Sequence, residues 1–395
     1  MRAIEKGKHW SKRVLLACTV VLASSAVAKA RQPGVDATVQ EAARAVMHQY
    51  RIPGLAIAVS VRGERYYYNY GVASRQSQQR VTSDTLFEIG SISKTFTGTL
   101  ATYAQAEGRL SLADSPGKYM PRLAGSSLDR VTLIQLGTHT AGGFPLQLPD
   151  DIRNAEQLVD YFKAWQPKFV PGTQRTYANP SIGLLGMVAA RSMNVTFTEA
   201  MEQRLFPALG LHDSYIDVPA SKMPLYAQGY TAQEAPVRVN PGVIAAEAYG
   251  VKTSAKDLIR FIELQMRPGR ATGKLQQAIV DTHTGYFSVG PMTQDLIWEQ
   301  YAYPVSIDVL LQGNSGEMAY ESHPVTALNP PQPPREDVWI NKTGGTNGFS
   351  AYVAFVPSKE MGIAILANKN YPNEPRVRLA YRILSRLECC ASARR

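Results

Sequence analysis

The chain has few of the residues that build disulfide frameworks and metal centres. Its 395 residues include three cysteines and six scattered histidines. No Cys/His group has the spacing of metal ligands, so we expect neither a metal nor another cofactor. Cys389 and Cys390 are adjacent and poorly placed to pair with each other, so no structural disulfide is expected. These absences argue against a disulfide scaffold and against a metalloenzyme.

Two further patterns are missing. No Gly-x-Ser-x-Gly sequence occurs, which argues against a Ser-His-Asp hydrolase. No stretch after the N-terminal segment is long enough to span a bilayer, and no basic run suggests a nucleic-acid partner. The formal net charge is +10, of which the first 30 residues contribute +5 (six basic residues less Glu5). The remaining positive charge is suited to steering small anionic substrates.

The first 30 residues have the pattern of a secretory signal peptide. A basic segment from Arg2 to Arg13 precedes the apolar run VLLACTVVLASSAVA, and small residues suited to cleavage end at Ala28 or Ala30. Cleavage would remove Cys18 and leave about 365 residues, enough for one large core or two interlocked domains. We therefore expect a mature monomer in the periplasm, without a membrane anchor.

Three short motifs occur in order along the chain: Ser91-Ile92-Ser93-Lys94, Tyr177-Ala178-Asn179 and Lys342-Thr343-Gly344. The apolar run LFEIG precedes Ser91 and a helical pattern follows it, so Ser91 is expected at a helix N-terminus, where developing negative charge is favoured. Lys94 lies one turn further on and can reach the Ser91 oxygen. Desolvation and neighbouring cations would lower its pKa, as a general base requires.

The other two motifs complete an acyl-transfer site. Tyr177 precedes an apolar helix expected from Ser181, and a phenol near two lysines can pass a proton to a leaving nitrogen. Asn179 offers a donor and an acceptor to a substrate amide. Lys342 ends a predicted strand, and the glycines after it allow the N–H groups of Gly345 and Ser91 to share an oxyanion hole. The sequence therefore predicts a serine acyl enzyme.

Each motif has rivals in less suitable surroundings. Ser115-Pro116-Gly117-Lys118 lies in a polar turn that cannot form the helix. Tyr67-Tyr68-Asn69 belongs to an alternating strand, where tyrosines pack. Lys252-Thr253-Ser254 lacks the glycine and leads into a helix. We interpret these three as structural.

Longer blocks show a family resemblance over essentially the whole mature chain: AGGFPLQLPDD, PGTQRTYANPSIGLLG, AAEAYGVKTSAKDL, INKTGGTNGF and LANKNYPNEPRV. They resemble class C β-lactamases, AmpC-type cephalosporinases of the penicillin-recognising serine enzyme superfamily. The resemblance implies that Ser91 is acylated, that Lys94 and Tyr177 transfer protons, and that Lys342 acts with them. It implies that the substrate cleft is lined by Gln147, Asn179, Tyr249, Thr343, Gly344, Gly345, Asn370, Asn373 and Arg376.

The resemblance also implies where the substrate carboxylate lies. Lys342 and Thr343 are expected to face the substrate carboxylate, and Arg376 is expected to project toward the same end of the groove. Three positions depart from the family pattern. Asp295 and Ile297 stand where relatives more often have glycine, and His139 stands where they commonly have tyrosine. These departures concern the local geometry of the cleft.

The order of the patterns and the resemblance predict an α/β fold, with an antiparallel sheet flanked by helices and an inserted helical domain. The α/β domain would comprise 31–106 and 231–395, and the helical domain 107–230. Two β-rich runs after Gly348 are expected to form a hairpin beside the motif strand. The Pro-rich LNPPQPPRED is expected to be a surface loop. The site would lie in the groove between the domains.

The expected function is that of a periplasmic serine β-lactamase, which hydrolyses the β-lactam amide of cephalosporins and penicillins through an acyl-enzyme on Ser91. Two alternatives use the same acylation. A D-alanyl-D-alanine carboxypeptidase or penicillin-binding protein would release the acyl group slowly, and a β-lactam sensor would not release it. The blocks around Gln147 and Asn373 weigh against the first, and the lack of a sensory segment against the second.

Overall fold

The computed structural model describes residues 33–392, so the predicted signal peptide lies outside the described residues. In that part of the chain, no helix is long and apolar enough to cross a membrane. The α-helices are α1 Pro33–Tyr50, α2 Ser93–Ala106, α3 Leu133–Gly137, α4 Ala155–Ala164, α5 Asn179–Ser192, α6 Phe197–Glu199, α7 Phe206–Leu209, α8 Ala245–Tyr249, α9 Ala255–Met266, α10 Gly273–Asp281, α11 Ile307–Gly313, α12 Gly316–Tyr320 and α13 Asn373–Ser392.

Most of the strands belong to one large sheet, and a π-helical turn, Ala200–Leu205, joins α6 to α7. The strands are β1 Gly54–Val61, β2 Glu64–Gly71, β3 Leu86–Glu88, β4 Gln174–Thr176, β5 Ser214–Tyr215, β6 Gly229–Tyr230, β7 Pro236–Val237, β8 Lys252–Ser254, β9 Gly285–Val289, β10 Met292–Asp295, β11 Glu299–Ala302, β12 Ser322–Pro324, β13 Thr326–Gln332, β14 Val338–Gly345, β15 Ser350–Val356 and β16 Met361–Ala367.

The large sheet is antiparallel throughout, with strand order β13-β9-β10-β11-β14-β15-β16-β1-β2. The predicted hairpin is β15–β16, and it lies beside the motif strand β14. Strand β1 from the N-terminal part pairs with β16 from the C-terminal part, and Leu55 faces Ala367. The segment 107–230 contributes none of its described strands to this sheet. The predicted antiparallel sheet flanked by helices is confirmed.

The central strands are buried on both faces because helices cover each side of the sheet. On one face, α1 and α13 pack on residues such as Leu55 and Ile363. On the other face, Ala56 and Val353 share a core with Phe96 of α2 and with Leu185 of α5. That second core runs without interruption from the sheet into the segment 107–230. The helical segment is thereby anchored against the sheet, and the groove between them has well-packed walls.

The Pro-rich segment before the motif strand differs from the prediction. Part of LNPPQPPRED was expected to be loop but belongs to β13, the edge strand beside β9, where Ala327 faces Phe287 and Gln332 faces Gly285. An edge strand needs hydrogen-bond donors on one side only, so prolines are tolerated there. A connection over 333–337 then leads into β14.

Candidate active site

A cleft of about 1410 Å³ opens where the end of β14, the start of α2 and the segment 107–230 meet. Every predicted site residue except Lys94 lines this cleft. Lys94 lies beneath Ser91, in the first turn of α2. The structure therefore brings together three motifs that are widely separated in sequence.

Ser91 lies in a 3₁₀ turn, Gly90–Ile92, that runs directly into α2. The end of β14 packs closely against this turn. A Cβ atom added at Gly90 would meet the backbone of Gly345, and one at Gly344 would meet the carbonyl oxygen of Ile89. Only glycine at both positions allows the strand to approach the nucleophile this closely.

Lys94 is buried and donates two hydrogen bonds. Its Nζ lies 3.0 Å from Ser91 Oγ and 2.8 Å from the Ala248 carbonyl oxygen. Burial lowers the pKa of this amine, and the charge of Lys342 lowers it further, although Tyr177 opposes the shift. A buried amine with a lowered pKa gives up a proton more readily, as activation of a serine hydroxyl requires.

Tyr177 lies among three cations in the loop before α5. The distances from its ring centroid are 5.2 Å to Lys94 Nζ, 5.0 Å to Lys342 Nζ and 5.6 Å to Arg175 Cζ. Burial alone would raise its pKa, but the charges of Lys342 and Lys94 outweigh burial and lower the pKa to about 8. The phenol oxygen is buried and has no hydrogen-bond partner among residues 33–392. It is therefore free to exchange a proton with a bound molecule.

A buried ion-pair group supports this arrangement from below. Glu299 Oε1 lies 3.0 Å from Arg175 Nη2 and 3.6 Å from Lys342 Nζ. Arg175 also donates to Gln294 Oε1 at 2.7 Å and to the Met318 carbonyl oxygen at 2.9 Å. Sequence reasoning missed Arg175 and Glu299. Neither residue belongs to one of the three motifs. Their only sequence signal is position, because Arg175 lies close to Tyr177 and Glu299 lies close to Ile297, one of the positions that depart from the family pattern.

Two amides form one wall of the cleft. Asn179 Nδ2 donates to Gln147 Oε1 at 2.9 Å, while Asn179 Oδ1 is buried and has no partner among the described groups. Asn179 is the first residue of α5, which begins two residues before the predicted Ser181. Tyr249 ends α8 and also lines the cleft. A substrate amide N–H could donate to the free Asn179 oxygen.

The far end of the cleft has two further amides, both held by backbone carbonyls. Asn370 Nδ2 donates to the Thr346 carbonyl oxygen at 2.9 Å, and Asn373 Nδ2 donates to the Asn314 carbonyl oxygen at 3.1 Å. Thr343, the residue after Lys342 on β14, also lines the cleft. These contacts orient the two side chains before any substrate enters.

Arg376 does not extend freely into the groove as expected. Its buried guanidinium donates to the carbonyl oxygens of Gly344, of Ala351 at 3.0 Å, of Tyr371 at 2.8 Å and of Pro372 at 3.2 Å. Four of the five N–H groups of an arginine are thereby used. The side chain joins the start of α13 to the end of β14, so its main contacts support the motif strand.

The three residues that depart from the family pattern are buried close to the site, and none of them lines the cleft. The ring centroid of His139 lies 4.4 Å from that of Tyr177. Asp295 has no hydrogen-bond partner for either carboxyl oxygen among the described groups, and burial raises its pKa well above the usual range. Ile297 has φ 75°, a strained value for a β-branched residue, and it packs against Gly98.

The described part of the chain holds no group of three or more His, Cys, Asp or Glu side chains that could bind a metal ion. The groups with acid–base or nucleophilic chemistry that the cleft brings together are a serine, two buried lysines and a tyrosine.

Comparison with known proteins places the chain in a family. The β-lactamase family model matches residues 39–388, and the chain belongs to the β-lactamase family. A β-lactamase from Pseudomonas fluorescens is 52% identical over 354 residues, which are 90% of this chain and 98% of the relative. The chain is thus an enzyme of the β-lactamase type, a hydrolase of β-lactams.

Two solved structures are similar in both sequence and fold. A class C β-lactamase in complex with cefoxitin is 51% identical with a TM-score of 0.87, covering 89% of this chain and 99% of that one. A β-lactamase/D-alanine carboxypeptidase from Pseudomonas syringae is 59% identical with a TM-score of 0.88, covering 89% of this chain and 98% of that one. The predicted resemblance to class C β-lactamases is confirmed.

Proposed function

We propose that the protein is a periplasmic serine β-lactamase that opens the lactam ring of cephalosporins and penicillins through an acyl-enzyme on Ser91. The contact that best supports this proposal is the 3.0 Å hydrogen bond between Lys94 Nζ and Ser91 Oγ, made by a buried lysine with a lowered pKa. An ordinary serine–lysine pair on a surface would lack the desolvation that activates the hydroxyl.

Acylation follows from the positions of these groups. Ser91 Oγ attacks the lactam carbonyl carbon while its proton passes to Lys94 or Tyr177. The N–H groups of Ser91 and Gly345 stabilise the oxyanion, and the lactam C–N bond then breaks. Tyr177, whose pKa is lowered to about 8, donates a proton to the departing nitrogen. Attack of water on the ester releases the product and restores Ser91.

The walls of the cleft match the two ends of a β-lactam. A carboxylate beside the lactam nitrogen would lie against Lys342 and Thr343, because a buried cation and a hydroxyl offset the cost of its desolvation. The side-chain amide of the substrate would lie between Asn179 and Gln147. Tyr249, Asn370 and Asn373 would line the remaining surface.

The proposed location rests on sequence. Residues 1–30 have the three-part pattern of a cleavable signal peptide, which supports export to the periplasm. Detecting the processed N-terminus in a periplasmic extract tests the location. An unprocessed N-terminus in the cytoplasmic fraction would contradict it.

A chromogenic cephalosporin tests the activity, with single-turnover and steady-state rates compared on the same preparation. We expect repeated turnover in the steady state, an acyl adduct on the peptide that contains Ser91, and full activity in excess EDTA. Loss of activity in EDTA that zinc restores would contradict the serine mechanism.

A second function, D-alanyl-D-alanine carboxypeptidase activity, is favoured by the 59%-identical structure described as a β-lactamase/D-alanine carboxypeptidase. The same nucleophile would attack the terminal peptide bond. Release of D-alanine from an acyl-D-alanyl-D-alanine peptide, measured beside lactam hydrolysis, separates the two. An acyl adduct that persists without turnover would instead indicate the sensor.

A further inference from the structure

One residue outside the three motifs holds Tyr177 from both sides. The carbonyl oxygen of His139 accepts the N–H of Thr176 at 2.8 Å. Its Nδ1 accepts the N–H of Ala178 at 3.2 Å. Its ring packs against the phenol, with centroids 4.4 Å apart and planes at 41°. A backbone N–H of each residue that flanks Tyr177, and the Tyr177 ring itself, are thus restrained by a single neighbour.

His139 is itself held in one state. It is 1% exposed, and burial first, then the charges of Arg175, Lys94 and Lys342, keeps its pKa well below the usual range. A neutral ring whose Nδ1 accepts a hydrogen bond carries its proton on Nε2. The ring is therefore not a proton donor or base at neutral pH, and it does not line the cleft.

The backbone of His139 has φ 61°, in the left-handed region. Among residues with a side chain, histidine, asparagine and aspartate adopt this conformation most readily. A non-glycine residue held there by its surroundings often occurs beside a functional site. Tyrosine, which the family resemblance leads us to expect at this position, has no ring nitrogen with which to accept the Ala178 N–H.

We propose that His139 is a positioning residue for the reaction, which holds the Tyr177 phenol oxygen in place between Ser91 and the two lysines. This inference rests on the proposed function, because it assigns Tyr177 to proton transfer. Loss of about 1 Å of alignment at a reacting group can reduce a rate on the order of 100-fold. A looser Tyr177 would also feel less of the two lysine charges.

Two substitutions distinguish the contribution of the Nδ1 acceptor from that of the aromatic ring. His139→Phe keeps an aromatic ring and removes Nδ1. His139→Asn places an amide oxygen near the position of Nδ1, removes the ring, and suits the left-handed backbone. For His139→Phe we expect kcat/KM at neutral pH to fall by roughly 10- to 100-fold. We expect His139→Asn, which keeps an acceptor but loses the ring contact, to lose much less activity than His139→Phe.

The pH profile is a readout that a purely structural role would not move. If the Tyr177 phenolate takes up the proton, kcat/KM rises with pH through the Tyr177 pKa of about 8. In His139→Phe this rise should move to higher pH, because the phenol has moved away from Lys94 and Lys342. The other charged groups facing the phenol, Arg175 and Glu299, are unchanged in both variants.

A titration by phenolate absorbance gives a readout that needs no activity. Among the described tyrosines with a shifted pKa, only that of Tyr177 is lowered, while those of Tyr226 and Tyr352 are raised. The lowest absorbance step should therefore disappear in Tyr177→Phe, stay in His139→Asn, and move to higher pH in His139→Phe.

Three results would overturn the inference: an unchanged pH profile in His139→Phe, equal losses of kcat/KM in the two variants, or a displaced absorbance step in His139→Asn. If His139→Phe does not fold, the pH of the absorbance step in His139→Asn still tests the inference. Full lactam hydrolysis by Ser91→Ala would show that the proposed function is wrong, and the absorbance titration would still test the positioning of Tyr177.

Discussion

Two Ser-x-x-Lys sequences in this chain have opposite surroundings. Lys94 is buried, and its Nζ lies 3.0 Å from Ser91 Oγ. Lys118 has a side chain that is 61% exposed, and its Nζ lies 2.8 Å from Asp114 Oδ2. Burial lowers the pKa of Lys94, whereas the hydrogen bond to Asp114 raises that of Lys118. The same four-residue pattern thus provides a candidate base in one place and a permanently charged surface residue in the other.

The local backbone explains the contrast. Ser91 leads into the 14-residue helix α2, which packs between the sheet and the helical segment. Ser115 precedes a three-residue 3₁₀ turn, Pro116–Lys118, in which Pro116 and Gly117 are buried and Lys118 is exposed. A proline and a glycine at those positions disfavour a longer helix, so the second lysine is not carried into the core. Burial, not spacing, decides the chemistry of the pair.

The largest expected effect is on the nucleophile. Ser91→Ala should remove covalent labelling by a β-lactam and lower the hydrolysis rate on the order of 10⁶-fold, because the other cleft serines, Ser315 and Ser350, are bonded to backbone groups and not to a lysine. Ser115→Ala is the matched control and should keep the full rate. The mass of the intact protein after exposure to the lactam, with peptide mapping, measures both. An adduct at Ser115 would break the comparison.

The second-largest effect is expected from the two lysines of these Ser-x-x-Lys sequences. Lys94→Met should lower the rate of acylation by about 10³-fold, within the usual contribution of a general base. Lys118→Met should leave that rate unchanged, since Lys118 contacts Asp114 and not a serine hydroxyl. Stopped-flow acylation rates compare the two variants. Equal losses would mean that the burial of Lys94 has no catalytic consequence.

A smaller effect is expected from the cations near the end of β14. Lys342→Ala should cost about 2–4 kcal/mol in transition-state binding of a carboxylate substrate, and less with its methyl ester. Arg376→Ala should reduce acid and ester equally, because its guanidinium is bonded to backbone carbonyls. Ratios of kcat/KM on the two substrates measure this difference.

Arg376→Ala should also lower the free energy of unfolding by about 3 kcal/mol, because it leaves buried carbonyls without donors. A larger loss of kcat/KM on the acid than on the ester, at unchanged stability, would show that Arg376 binds the substrate carboxylate, as the sequence predicts.

The last comparison concerns two aspartates away from the reacting groups, and its effect on activity should be the smallest because it appears only in stability. Burial raises the folded-state pKa of Asp295 above its unfolded value near 3.9. The contribution of this carboxyl to the free energy of unfolding is therefore fully present below pH 3.9, and it is lost as the pH rises through the folded-state pKa. Asp295→Asn should therefore be stabilising at neutral pH, with a gain that grows by up to about 1.4 kcal/mol per pH unit.

Asp114 is the matched control with the opposite sign. The hydrogen bond from Lys118 lowers its pKa, so its contribution is present at neutral pH and is lost as the pH falls. Asp114→Asn should be slightly destabilising at neutral pH and neutral in acid. Urea unfolding at several pH values measures both aspartates. A stabilising effect of Asp295→Asn that is independent of pH would show that Asp295 is already ionised in the folded protein.

Local patterns predicted several elements correctly. The helix after Ser91, the hairpin β15–β16 and the strand that carries Lys342 each follow from apolar periodicity and from turn residues within a dozen positions. The first half of the Pro-rich segment was predicted wrongly as a loop. Pro330 and Pro331 lie in β13, and only the position of that strand at the sheet edge makes them acceptable, whereas Pro333 and Pro334 lie in the connection to β14.

The sequence by itself determined the order of the three motifs, the antiparallel sheet with helices on both sides, and the family resemblance. The tertiary structure decided how the groups around Tyr177 are charged and held. Glu299, Arg175 and His139 come from three distant segments. Glu299 reaches the site because β11 pairs with β14, Arg175 through its ion pair with Glu299, and His139 through its ring contact with Tyr177. Arg376 binds the carbonyl oxygens of Gly344 in β14 and Ala351 in β15, which only the folded sheet brings together. Protonation depends on burial and on charges within a few ångströms, and no spacing along the chain encodes those distances.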